Sequence, residues 1–239
     1  MSFKQTVLGA ALLCGLSGCT DATKISTDQI TPVTWQFNLM FDGELDGAWE
    51  YNIEAAEDEQ FHIFGGTTWT SQSITESESL YVAREGWMPL SLDVEGDFSG
   101  TMLAADINWA GAHVTGHITV TPVEADAHIT QIDIVQDAPV YERTAFFAAM
   151  RGMALTPGDD FTLTWFNVHA DGLEDVTVRV GEVTEMTVPA GTFEVMPVEI
   201  VAPSVTNVVY VTTAMPRDVV RVDVVGMPMV FELAAVALP

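Results

Sequence analysis

The chain has 239 residues, of which 34 are acidic and only 8 are lysine or arginine, for a formal net charge of −26. A field of that sign repels nucleic acid and anionic membrane surfaces, so neither is an expected partner of the folded part. With 48% of its residues apolar, the chain has the material for a folded core and is not a disordered acidic polymer.

The first segment reads as a leader. Lys4 supplies a short positive start, and Val7 to Leu16 is an apolar run. That run is too short to span a bilayer, which takes about 20 residues, but it fits the apolar part of a signal peptide. It ends in Leu16-Ser17-Gly18-Cys19, which resembles the lipobox of bacterial lipoproteins. The resemblance implies a signal peptide over residues 1–18, removed before Cys19, and lipid on the Cys19 thiol. Several acyl chains hold a protein to a membrane durably, where one holds it only marginally. Cys14 would leave with the leader and Cys19 would be acylated, so disulfides, thiolate metal sites and a thiol nucleophile are not expected. Thr20 follows the cysteine and Asp21 comes one place later. The Asp that retains some lipoproteins at the inner membrane is thus displaced, which points to a periplasm-facing anchor on the outer membrane. Residues 19–32 are mostly Thr, Asp, Ser and Gln and read as a lipidated N-terminus and flexible tether, with a reach of roughly 20 Å.

From residue 33 onward the period is two, and a single domain is expected over 33–239. Val33, Trp35, Phe37, Leu39 and Phe41 alternate with more polar neighbours, as in a half-buried strand. Asp42-Gly43 and Asp46-Gly47 have turn chemistry, and the returning strand begins at Trp49-Tyr51-Ile53. Further strands are expected over 59–64, 67–75, 79–84, 88–95, 97–107, 112–120 and 127–134. In the C-terminal half they are expected over 160–169, 173–180, 182–188, 192–201, 205–213, 217–225 and 228–237, with Asp171-Gly172 as a hairpin turn. One stretch differs. Residues 141–153 carry Ala, Phe, Met and Arg with no β-branched run, which predicts a helix of about three turns ending near Gly152. The expected architecture is mainly β and antiparallel, with that helix against the mouth or concave face of the sheet.

The segment Val188-Pro189-Ala190-Gly191-Thr192-Phe193 resembles the PAGTF signature of exported bacterial envelope proteins grouped as a domain of unknown function. Gly86-Trp87-Met88-Pro89, the helix with Arg151 followed by Leu155-Thr156-Pro157-Gly158-Asp159, and a late hairpin at Pro216 fall in the order that family shows. The resemblance implies a fold that is mainly β, a single strongly curved antiparallel sheet or incomplete β-barrel with the one helix against it, comparable to the LolA and LolB lipoprotein carriers or to lipocalin-like barrels, and no known reaction. This chain departs from the family in its acidic surface. Read on its residues alone, the segment is a tight hairpin corner. Pro189 cannot donate to a ladder, Gly191 tolerates positive φ, and Phe193 restarts the alternation.

Catalytic motifs are missing: no Gly-x-Ser-x-Gly, no His-Glu-x-x-His and no phosphate-binding glycine loop occurs. No enzymatic activity and no cofactor or metal is therefore expected. His113 and His117 share a strand face, but four strand residues span about 13 Å, too far to share an ion. The acidic turns at Asp42–Asp46 and Asp171–Asp175 do not match a calcium loop and read as hairpins. What the sequence offers instead is soft apolar surface. It has 11 methionines and 12 phenylalanines, with Met196, Met215, Met227, Met229 and Phe231 gathered in the last strands. Methionine adapts to irregular apolar partners, so these residues serve either a lipid pocket or a Met-packed core. The expected function is a lipid-anchored cell-envelope protein binding an apolar ligand such as a lipid or acyl chain, with Phe146, Phe147 and Met150 of the helix as its contacts. The alternative is an envelope scaffold or assembly factor holding another protein. Histidine and carboxylates clustered in one cleft would favour a hydrolase.

Overall fold

The computed structural model describes residues 24–138 and 140–238; the leader and Cys19 lie outside the described residues. Eight strands follow one another as hairpins: β1 (Val33–Phe41), β2 (Glu44–Ala56), β3 (Gln60–Trp69), β4 (Ile74–Ala83), β5 (Pro89–Phe98), β6 (Thr101–Ala110), β7 (His113–Thr121) and β8 (His128–Val135). A short strand β9 (Tyr141–Glu142) leads directly into the helix α1 (Arg143–Ala149). The second half comprises β10 (Asp160–Asn167), β11 (Gly172–Val180), β12 (Thr184–Val188), β13 (Gly191–Val201), β14 (Thr206–Thr212), β15 (Val219–Val224) and β16 (Met229–Ala237).

All of them belong to one sheet. The order runs from β8 back to β1, crosses to β16, and continues through β15, β14, β13, β11 and β10 to β9, with β12 paired to β13. The seam between the two halves is the antiparallel pairing of the first and last strands, Trp35 opposite Val236 and Leu39 opposite Phe231. Every pairing is antiparallel except β9 with β10. The ends, β8 and β9, do not pair with each other, so the sheet curls without closing. The antiparallel strands are what the period of two predicts, and the curved, incomplete barrel is what the family resemblance implies.

Alternation puts one face of each strand inside the curl. Val33, Trp35, Phe37 and Leu39 are all buried, as are Tyr51 and Ile53 opposite them and Val195, Val198 and Ile200 from the other half. The helix sits inside the curl and bridges the two halves. Tyr51 Oη donates to the Thr144 carbonyl (2.8 Å) and Trp87 Nε1 to the Ala145 carbonyl (2.9 Å). On its other side Phe146 meets the edge of Trp165 on β10, centroid to centroid 6.2 Å.

Several features differ from the sequence expectation. Asp46-Gly47 lies inside β2 and not in a turn, and turns at 70–73 and at Ser99-Gly100 break the strands expected over 67–75 and 97–107. The helix is Arg143–Ala149, not 141–153. Tyr141 and Glu142 pair with Trp165 and Phe166 as a strand, and the Glu142 carboxylate caps α1 by accepting from the Ala145 N–H (2.8 Å). After Ala149 the chain tightens into turns whose Gly152 carbonyl accepts from Ser26 N. The tether expected over 19–32 is docked from Ile25 onward. Ile25 bridges Met153, Ile30 is buried, and Arg151 donates to the carbonyl and hydroxyl of Thr31. Finally, β3 runs through Gly65-Gly66, where a break was expected. A Cβ on Gly65 would collide with the Glu50 carbonyl of β2, so glycine here permits close strand approach and does not end the strand.

Candidate functional site

A cavity of about 420 Å³ opens at one end of the curl, within the size range of small-molecule sites. Its apolar wall is made by side chains from four neighbouring strands and the helix: Leu39 (β1), Trp49 (β2), Phe147 (α1), Val222 (β15), and Met229 and Phe231 (β16). The β1–β16 seam brings the two halves of the chain together here. Trp49 organises the wall, with Phe37 stacked at 4.8 Å, Phe231 edge-on at 5.4 Å and Phe147 edge-on at 6.0 Å. Edge-on and offset ring pairs of this kind add to the burial that holds them.

The opposite side is polar. Glu76 and Glu78 reach it from β4, Arg143 and Thr144 from the start of α1, His169 from the turn after β10, and Asn207 from β14. Thr144 Oγ1 donates to Glu78 Oε2 (2.8 Å), and His169 Nε2 lies 3.3 Å from Glu76 Oε1. Burial first, then the charge of Glu76, pushes the Glu78 carboxyl up from 4.5 to about 7. Glu142, behind it, is raised by burial and by Glu78 to about 8. Below about pH 7 both acids therefore hold their protons.

The cavity thus joins the apolar side chains round Trp49 to the polar ones round Glu78, with Ile74 and Phe98 set among the latter. A histidine and carboxylates do share this cleft, as a hydrolase would require. The His169 ring engages Glu76 and Phe98.

Of the residues singled out in the sequence, Phe147 lines the cavity. Phe146 is buried on the far side of α1 against Trp165, and Met150 is fully buried; neither belongs to the wall. Met227, Met229 and Phe231 of the methionine-rich end do line it, whereas Met196 is buried and Met215 exposed. Sequence reasoning missed Trp49, Glu76, Glu78, Arg143, His169 and Asn207 as a group. Only Trp49 carried a signal, as the partner across the first hairpin of the alternating β1 face. His113 pairs instead with Asp133 of β8 at 2.7 Å. Asp46 accepts from Trp69 Nε1 (2.8 Å), and Glu174 accepts from Trp165, Asn167 and Ser204, so both acidic turns use carboxylates as internal acceptors. Among the described residues no cluster of acidic, histidine or cysteine side chains is placed to hold a metal ion.

No family model and no curated protein matches the sequence. Among solved structures the chain is similar to a beta-barrel-like protein of a domain of unknown function, DUF1849, from Brucella abortus. That likeness has a TM-score of 0.55 and 13% identity over 88% of this chain and 98% of that one. It establishes a shared fold. A Parabacteroides distasonis protein assigned as a lipoprotein also aligns, with 12% identity, 87% and 96% coverage and a TM-score of 0.32. A Bacteroides fragilis protein assigned as exported, with a YmcC-like fold, aligns with 13% identity, 87% and 96% coverage and a TM-score of 0.31. Those two superpose too loosely to carry an argument.

Proposed function

We propose that the protein is a non-enzymatic, lipid-anchored component of the bacterial cell envelope whose curled sheet binds an apolar molecule, a lipid or acyl chain. The observation that carries this reading is the cavity of about 420 Å³ walled by Leu39, Trp49, Phe147, Val222, Met229 and Phe231. An aromatic and methionine-lined hollow beside convergent polar groups is the form a small-molecule site takes. The anchor rests on Leu16-Ser17-Gly18-Cys19, and the placement on the periplasmic side of the outer membrane on Thr20 and Asp21. Native mass spectrometry of the full-length protein after gentle extraction tests both parts. The mature chain should begin at Cys19 with added acyl mass and should retain a dissociable amphiphile. A chain that keeps residues 1–18 unmodified contradicts the anchor, and a chain free of any retained amphiphile that also fails to take up added fatty acid contradicts the binding function.

One observation favours the scaffold reading. β8 is an edge strand whose Ile129 and Val135 are 54% and 73% exposed, a row on which a partner strand would fit. Charged substitutions at both positions separate the two readings, because they would abolish a protein partner and leave acyl binding at the distant cavity unchanged.

A further inference from the structure

The polar wall of the cavity holds two donors that the fold leaves unused. Asn207 is buried, and its Nδ2 has no hydrogen-bond partner. Arg143 has no partner for its buried Nε, and it is in none of the ion pairs among the described residues. The other arginines are engaged. Arg84, Arg151, Arg179 and Arg221 pair with carboxylates, and Arg217 is caged by the carbonyls of Met153, Leu155, Thr212 and Thr213. Glu78 and Glu142 act on Arg143 electrostatically, but neither forms an ion pair with it, and burial raises their carboxyls to about 7 and about 8. A buried donor left unpaired is costly, and native folds keep few of them. Arg143 and Asn207 both line the cavity, but these two atoms are themselves covered, so a ligand acceptor reaches them only with a side-chain rotation.

We propose that the cavity takes an acyl amphiphile with an anionic head, a carboxylate or phosphate, bound by Arg143 and Asn207 while its tail lies along Trp49, Met229 and Phe231. The assignment rests on the acyl-binding reading above and specifies the chemistry of its ligand. A guanidinium in a partly desolvated wall forms short, charge-assisted bonds to such a head. The charged and titratable groups packed round Arg143 are Glu76 and Glu78 from β4, Glu142 preceding α1, His169 from the turn after β10, and Tyr51 from β2. Glu76 lies 3.3 Å from His169 Nε2. Glu78 is uncharged below about pH 7, so the field at Arg143 becomes more positive as pH falls through that value. The overall negative charge acts over distance and is screened beyond about 8 Å at physiological ionic strength, whereas Arg143 acts at contact.

The test is calorimetric titration of the full-length protein with decanoate, decanol and decylamine at about pH 6 and about pH 8.5. At the lower pH decanoate should bind about tenfold tighter than decanol, and the ratio should narrow at the higher pH. Arg143→Gln should bring the ratio close to one, and Arg143→Lys should retain part of it. Decanol or decylamine binding as tightly as decanoate to the wild type overturns the head-group assignment and leaves the acyl-binding reading standing. So does a decanoate preference that survives in Arg143→Gln. No saturable binding of any of the three overturns both. The wild-type ratio and its pH dependence decide the matter even if a variant fails to fold.

Discussion

At the scale of single residues, the two raised carboxyls make stability depend on pH in an unusual sense. Glu78 and Glu142 shift from an ordinary 4.5 to about 7 and about 8 on folding. Between these limits the folded protein binds more protons than the unfolded chain, so stability falls as pH rises. Their contribution is complete below about 4.5 and is lost by about 8. Thermal melts across that window should show a falling midpoint in the wild type and a flatter profile in Glu142→Gln, whose side-chain carbonyl can still cap Ala145. Equal slopes in the two proteins would mean that Glu142 does not carry the effect. Gly191 is a second single-residue case. Its φ of +141° lies in a region that β-branched residues avoid, at the corner where β12 turns into β13. Gly191→Val should therefore cost about 1–3 kcal/mol in a urea melt; an unchanged midpoint would show that the corner relaxes without strain.

At the scale of elements, α1 has two faces with different tasks. Phe146 packs on Trp165 and is buried away from the cavity, whereas Phe147 meets Trp49 in the cavity wall. Each truncation to alanine should cost about 3–5 kcal/mol of stability, but only Phe147→Ala should change acyl affinity. Urea melts beside fluorescent fatty-acid titrations distinguish these outcomes; an affinity change in Phe146→Ala alone would reverse the assignment. The strands themselves were legible in the sequence, because alternation and the Asp42-Gly43 and Asp171-Gly172 turns are local signals. Elements whose limits depend on distant partners were not. Tyr141 and Glu142 have helix-compatible composition, yet β10 captures them as a strand. Gly65 and Gly66 look like a break until the neighbouring strands are in place. Ile25 to Pro32 look like a tether until Arg151 and Met153 receive them. The polar wall was least legible of all. Glu76, Glu78, Arg143, His169 and Asn207 come from separate strands and turns, and among so many carboxylates no pair stands out along the chain.

At the scale of the whole molecule, a charge of −26 on one curled sheet means that the surface repels itself. Raising salt from about 0.1 M to about 1 M shortens the screening length from about 10 Å to about 3 Å, so the melting temperature should rise. A midpoint that stays flat or falls would argue against a surface suited to salt-rich surroundings. The central claim is that the open end of the curl is an acyl site, and the tryptophans provide a direct probe. Of the 6 in the chain, Trp49 and Trp69 line the cavity, and Trp35, Trp87, Trp109 and Trp165 do not. Bromine quenches tryptophan only at short range, so the most direct measurement is fluorescence during titration of the full-length protein with a dibrominated fatty acid. The account expects saturable quenching that is mostly lost when Trp49 and Trp69 are both replaced by phenylalanine. Quenching that never saturates, or that persists undiminished in the double variant, would contradict it.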